Sequence, residues 1–329
     1  MRTTTHYLGL TLDHPFIAGA SPLSRELDSL RQLEDAGCAA VVLHSLFEEQ
    51  VEVSRTGRVG HMDAHDPRFA GTLSHYPGPE QYSADPDRYL EHVRAATAAL
   101  GIPVIASING GSAESWLTIA KDIERAGARA LELNFYQLVA NPRLSAEAVE
   151  EEWVRAVRGL ARLLTIPLAV KVTPFFTSFA HTAHRFIDAG AKGLVLFNRV
   201  YQTDIDIDTM APRVHTDLSS SQELLLRLRW VAALRGRLGG SLAVTGGVAT
   251  PEDGIKALLA GADAVQLTSA LLRHGPGHMA TMRAGLTRWM ETKDIEDLDA
   301  VRGKASLADV GDPLAFERAM YLQTLTQWR

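Results

Sequence analysis

At 329 residues, 46% of them hydrophobic and 22% charged, the chain has the make-up of a folded globular protein with ample material for a core, which excludes extended disorder. Its 33 Lys and Arg against 39 Asp and Glu leave a net charge of −6, which gives no long-range attraction to nucleic acid or to an anionic membrane surface, so neither is expected as a partner. The single cysteine, Cys38, excludes a disulfide framework and a multi-thiol metal site; with no apolar signal core at the N-terminus and no run of about 18 apolar residues, a cytoplasmic protein is expected.

Short β-branched runs alternate with amphipathic segments along the whole chain. The run at 15–20 is followed by a helical pattern at 26–36, 39–45 by 86–100, 103–108 by 113–126, and 130–135 by 146–164. The series continues with 168–173 and 179–189, 193–197 and 222–237, 242–245 and 251–259, and 264–267 and 277–291. Apolar residues in the helical segments recur at spacings of three and four. Strands separated by helices need parallel pairing with right-handed crossovers, because a parallel neighbour requires a long return path. Eight such units predict an α/β fold, a (β/α)8 TIM barrel occupying 1–329 as one domain. An open dinucleotide-binding sheet would carry G-x-G-x-x-G after its first strand, and that motif is absent.

Two connections exceed ordinary turns, 47–85 after the second strand and 199–219 after the sixth. Both leave the C-terminal ends of strands, where barrel active sites lie, and read as lids or walls of a site. The helix beyond Asp312 reads as a terminal cap or an oligomer contact, and a homodimer is the expected assembly.

Polar residues that close apolar strands point into the site of such a barrel. In chain order they are Ala20 and Ser21 beside Gly19, His44 and Ser45, Ser107 and Asn109, Asn134, Lys171 and Thr173, Asn198, Gly246 and Gly247, and Thr268 and Ser269. The glycine pair of A-V-T-G-G-V lets backbone N–H groups approach an anion, and the residues after Q-L-T-S add further N–H groups and hydroxyls. A phosphate group is the expected occupant. Lys171, set in the apolar strand L-A-V-K-V-T-P, has three readings: a cation beside a cofactor that gains negative charge, a desolvated amine for Schiff-base chemistry, or an ion pair with Glu132 on the neighbouring strand. No His, Asp or Glu cluster has metal-ligand spacing, and H-M-D-A-H at 61–65 reads as solvated, so no metal is expected.

The ordered set H-P-F-I-A-G-A-S, S-I-N-G, L-E-L-N, A-V-K-V-T-P, L-V-L-F-N, D-L-S-S-S-Q-E-L-L-L-R-L-R-W, T-G-G-V and Q-L-T-S-A-L resembles the dihydroorotate dehydrogenase family from about residue 6 to residue 304. F-N-R-V-Y-Q-T-D-I-D and S-A-L-L-R-H-G-P resemble its bacterial dihydroorotate dehydrogenase-like branch. The resemblance implies an FMN cofactor, with its phosphate at Gly246, Gly247, Thr268 and Ser269 and at the backbone near Ser220. It implies that Lys171 lies beside the flavin N1/O2 edge, that Ala20 and Ser21 lie under the ring, and that Ser45 and Asn109 fall in flavin-contacting segments. Asn134 and Asn198 map to asparagines that hydrogen-bond flavin or orotate.

Three departures stand against that pattern. The family's Cys or Ser base, three residues after the strand-4 asparagine, is here Gln137, whose amide has no usable basicity. The strand-2 lysine becomes His44. The N-x-M-G-x-x-N loop becomes S-H-Y-P-G-P-E-Q-Y at 74–82. Tyr136, His44, His75 and Tyr201 are then the candidates for proton transfer. The implied activity is hydride transfer between a CH–CH group and flavin N5, with dihydroorotate of pyrimidine biosynthesis as one substrate candidate. A small oxidant, a quinone or a redox partner protein serves as the second electron partner. The alternatives are a Schiff-base lyase or aldolase using Lys171, or a flavin-binding module without catalysis.

Overall fold

The β-branched runs form eight parallel strands that close into a ring. The computed structural model describes residues 1–56, 85–110, 113–200, 202–215 and 217–327. The chain opens with a hairpin of β1 (Thr5–Tyr7) and β2 (Leu10–Leu12). The barrel strands that follow are β3 (Phe16–Ala18), β4 (Val41–Phe47), β5 (Val104–Asn109), β6 (Ala130–Asn134), β7 (Leu168–Val172) and β8 (Gly193–Leu196). An antiparallel hairpin, β9 (Gln202–Asp206) and β10 (Ala211–His215), intervenes before β11 (Ser241–Thr245) and β12 (Ala264–Leu267) complete the barrel. Hydrogen bonding runs β3-β4-β5-β6-β7-β8-β11-β12 and returns to β3, so the TIM barrel expected from the sequence is present.

Eleven α-helices occur among the described residues: α1 (Leu27–Asp35), α2 (Glu48–Thr56), α3 (Pro86–Ala99), α4 (Ala113–Arg125), α5 (Ala146–Leu163), α6 (Phe179–Asp188), α7 (Ser221–Leu234), α8 (Pro251–Ala260), α9 (Ser269–His274), α10 (His278–Thr292) and α11 (Pro313–Gln327). Their starts follow local chemistry. Asp85 accepts from Asp87 N ahead of Pro86, Ser145 accepts from Ala148 N, and Thr250 and Asp253 cap each other reciprocally ahead of α8. Each such cap is worth about 1 kcal/mol. No helix among the described residues is long and apolar enough to cross a membrane.

Strand alternation sorts the barrel interior into layers. The lowest is apolar and small: Ala40, Ala130, Ala169, Ala243 and Ala264 join Ile17, Val42, Ile105 and Val195. Five alanines leave room that branched residues would fill, and Tyr7, Leu8 and Leu12 of the N-terminal hairpin occupy it. Two residues further along the strands the interior turns polar, with Ser107, Glu132, Lys171 and Gln266 all buried.

The second long connection, expected as a loop, contains the β9–β10 hairpin. Its tip is fixed by Asp206, whose Oδ1 accepts from Asp208 N at 3.0 Å and Thr209 N at 2.8 Å. The hairpin gave no sequence signal because Ile205 and Ile207 are both largely exposed, so there is no buried face to impose alternation. Residues 57–84 of the first long connection lie outside the described residues, while its opening is helix α2.

Candidate functional site

The polar layer centres on Glu132. Its carboxylate is wholly buried and accepts from Lys171 Nζ at 3.2 Å and from Gln266 Nε2 at 2.7 Å. β6 and β7 pair with Asn134 opposite Lys171, which places Glu132 one inward-facing step below Asn134 and lets the lysine reach it. The ion pair that the sequence left as one of three readings therefore forms. From below, the Tyr7 hydroxyl enters this layer. Burial first, and Glu132 second, push its phenol well above the usual range, against the opposing effect of a hydrogen-bonding contact with the Gln266 side chain.

At the upper edge of this layer, Ser107 of β5 joins Ser45 and Asn134 of the two flanking strands in a clamp. Ser45 Oγ and Ser107 Oγ are 2.8 Å apart and share a hydrogen bond, and Asn134 Nδ2 donates to both at 3.3 Å. A register shift in β4 between Val42 and Ser45 turns Ser45 inward against Ser107. With both amide donors spent on the serines, Asn134 Oδ1 is left as a buried acceptor without a partner. An unsatisfied acceptor at this depth costs about 1–3 kcal/mol, which a ligand carrying an N–H or O–H recovers. Asn109 ends β5 in register with Asn134. Asn198, just beyond β8, donates from Nδ2 to Phe135 O at 3.4 Å, so its oxygen is the acceptor end of the side chain.

A second cluster is built from the loop ahead of α7 and the ends of β11 and β12. Ser219 Oγ accepts from Gly247 N at 3.1 Å and bonds Ser269 Oγ at 2.9 Å, while Ser219 N donates to Ser269 Oγ at 3.0 Å. Gly246 and Gly247 have φ of 84° and 80°, the left-handed region that glycine adopts without strain. A Cβ on Gly247 would lie 2.4 Å from Leu224 N. Arg227, buried behind Gly246, donates from Nε to Thr245 O at 2.9 Å and from Nη1 to Glu223 O at 2.6 Å. Backbone N–H groups, hydroxyls and glycines without Cβ thus converge in a cradle suited to a phosphate.

The other sequence candidates take distinct places. Ala20 is half-buried and Ser21 buried, and the Ser21 carbonyl accepts from Ser24. Ser220 is exposed and is the residue just before α7, so in this chain the serine inside the cradle is Ser219. The His44 ring turns toward α3, 5.3 Å from the ring of Tyr89 and 5.5 Å from that of His92. Burial, followed by His92 and Arg25, lowers its pKa to about 4, so it is neutral near pH 7. Tyr136 and Gln137 lie exposed in the stretch after β6, with Tyr136 engaged in a contact of its own. His75 and Tyr201, and the 74–82 loop, lie outside the described residues. No group of three metal-ligating side chains occurs among the described residues.

Sequence reasoning missed Ser219, Gln266, Arg227 and Tyr7. The run D-L-S-S-S-Q signals a polar turn but cannot say which serine faces inward, and Tyr7 enters from a hairpin at the far end of the barrel.

The sequence profile described as dihydroorotate dehydrogenase matches residues 80–290. A putative dihydroorotate dehydrogenase A (fumarate) of Aeropyrum pernix is 28% identical over 310 residues, covering 91% of this chain and 96% of that protein. The catalytic subunit of dihydroorotate dehydrogenase B (NAD(+)) of Methanocella arvoryzae is 28% identical, covering 93% of this chain and 98% of the relative. The NAD-dependent dihydropyrimidine dehydrogenase subunit PreA of Escherichia coli K12 is 26% identical, covering 91% of this chain and 76% of its own length.

Proposed function

The chain belongs to the dihydroorotate dehydrogenase family, and we propose that it is an FMN-dependent oxidoreductase acting on the CH–CH bond of a reduced pyrimidine-like ring. The observation that carries the cofactor is the cradle: two glycines at positive φ beside the Ser219 and Ser269 side chains, with the Ser269 hydroxyl proton not spent inside the cluster, fit a phosphomonoester. The partnerless Asn134 Oδ1 in the mouth fits a second requirement, a ligand ring that presents an N–H. FMN, when bound, supplies the two-electron acceptor for a hydride leaving the substrate carbon.

The protein's own groups bind and orient. Ser219, Gly246, Gly247, Thr268 and Ser269 would hold the phosphate, and Ala20, Ser45, Asn109 and Asn198 would border the ring. Lys171, held by Glu132 at 3.2 Å, places a cation in the mouth, where developing negative charge is stabilised without reorganisation. Its ion pair opposes the free neutral amine that a Schiff-base lyase would require, and the oxidoreductase reading is preferred for that reason. Gln137 has an amide nitrogen that cannot accept a proton, so it fills the usual base position without replacing its chemistry. Tyr136 is the described residue next to it that carries an ionisable hydroxyl.

Electrons leave through another protein in this reading. Two of the relatives are named as subunits, and the chain carries neither a dinucleotide fingerprint nor a set of cysteines of its own. The test is direct. Purified protein supplied with FMN should retain about one flavin per chain, and anaerobic addition of a 5,6-dihydropyrimidine should bleach its visible absorption. Protein that stays colourless after FMN addition would overturn the proposal. The same holds for flavin that neither dihydroorotate nor dihydrouracil bleaches.

A further inference from the structure

Helix α11 stands apart from the barrel and is secured at its base. Arg237 Nη2 donates to Leu307 O at 2.7 Å and to Val310 O at 3.0 Å, which fastens the chain to the end of α7 just before it enters α11. Asp312 Oδ1 then caps the helix by accepting from Ala315 N at 3.0 Å. Beyond that point contact with the body is slight. Pro313 and Glu317 are half-buried, Glu317 pairs with Arg229 of α7, and no residue of the helix is buried. A helix of 15 residues without packing is marginal in water, so its apolar side chains need a surface that a single chain does not supply.

Those side chains lie on two sides of the helix. Leu314, Tyr321 and Leu325 recur at spacings of seven and four along one face, Phe316 and Met320, four apart, occupy the opposite one, and all five are exposed. A bilayer surface covers one face of a helix and is drawn to Lys and Arg on the other. Here the second face is apolar too. The charges of α11 are Glu317, matched by Arg229, and Arg318, whose guanidinium lies 5.9 Å from the centre of the Tyr321 ring. Two copies of this neutral helix approach without repulsion. One turn before Arg229, α7 exposes Leu225 and Leu226. One chain thus carries both a projecting apolar helix and an apolar patch to receive one, which is what a two-fold contact between identical surfaces requires. At roughly 200 Å² for a fully exposed large side chain, these seven residues leave about 700 Å² uncovered, close to the ~800 Å² that each partner buries in a stable interface.

We propose that α11 is the element through which two copies of this chain associate. In a two-fold pair, α11 lies between the α11 and the α7 of the second copy: the Leu314, Tyr321 and Leu325 face packs on the partner helix, and the Phe316 and Met320 face covers the partner's patch on α7. The contact uses none of the groups at the barrel mouth, so it is independent of the reaction proposed above.

Sedimentation equilibrium of the whole chain tests this. At micromolar concentration the parent should sediment at twice the mass of one chain. The triple replacement Leu314→Glu, Tyr321→Glu and Leu325→Glu should raise the dissociation constant at least about a hundredfold and leave a monomer whose far-UV circular dichroism is that of the barrel. A monomeric parent would overturn the proposal, and its flotation with anionic phospholipid vesicles would assign the helix to lipid instead. A dimer that survives the triple replacement would overturn it as well, because the interface would then lie elsewhere. If the triple variant fails to fold, Leu225→Glu on α7 decides: it should dissociate the dimer with α11 unaltered, and a dimer that persists would overturn the proposal.

Discussion

Replacing Glu132 with Ala removes the acceptor shared by Lys171 and Gln266 at the centre of the barrel. The Lys171 side chain is only 9% exposed, so its ammonium would be left largely buried without its counter-charge. Breaking a buried pair in this way costs about 3–5 kcal/mol. At about 2.1 cal/mol/K per residue, a chain of 329 residues has an unfolding entropy near 0.7 kcal/mol/K, so the melting temperature should fall by about 4–7 °C. The double replacement Glu132→Leu with Lys171→Met removes both charges and keeps the volume. Its remaining defect is Gln266 without its acceptor, a loss of about 1–2 kcal/mol. The assay is thermal unfolding of the flavin-free protein, so that ligand binding does not shift the midpoint. A Glu132→Ala protein melting within about 1 °C of the parent would refute the reasoning. So would a double variant that loses as much as the single one, since the penalty would then not arise from a stranded charge.

At the cradle, Gly247→Ala places a Cβ 2.4 Å from Leu224 N and 2.9 Å from Glu223 C at a φ of 80°, where only backbone could yield. FMN affinity measured by fluorescence titration should fall about tenfold or more and stability by about 1–3 kcal/mol. Gly239→Ala, with nothing within 4 Å, should leave both unchanged, and equal losses in the two variants would rule out the cradle as the cause. A third expectation concerns pH. Burial lowers His14 to about 4 in the folded protein, whereas an unfolded histidine titrates near 6.5. The unfolded chain therefore binds the extra proton across that window, and His14 contributes about 3 kcal/mol of stability that disappears as pH falls from 6.5 to 4. Urea unfolding midpoints across this range should fall more steeply for the parent than for His14→Gln, and identical slopes would contradict the assignment. His44, lowered to about 4 chiefly by burial, adds to the loss in the same direction.

The barrel was legible because its evidence is local and repeated. A β-branched run such as 264–267 followed by an amphipathic segment such as 277–291 states both the element type and the buried face, and eight repetitions leave one economical closure. Polar residues at strand ends were legible for the same reason, since a two-residue period fixes which of them point inward. Asn134 and Lys171 were read as inward-facing in that way, and both are buried in the barrel. The hairpin of β9 and β10 carried no such signal, because a strand pair exposed on both faces imposes no apolar alternation.

What the sequence alone determined was therefore periodic: fold class, strand order and which strand ends carry polar residues. Which partners those side chains choose was decided only by closure of the ring. Glu132 and Gln266 are 134 positions apart, Ser45 and Asn134 are 89 apart, and Ser219 meets Ser269 across 50. No local preference encodes such pairings. The register shift in β4, which points Ser45 inward and leaves the His44 ring against α3, depends on the neighbouring strand. The Lys171–Glu132 ion pair has the same origin, because the sequence leaves three readings of Lys171 and the pair forms once β6 and β7 stand side by side.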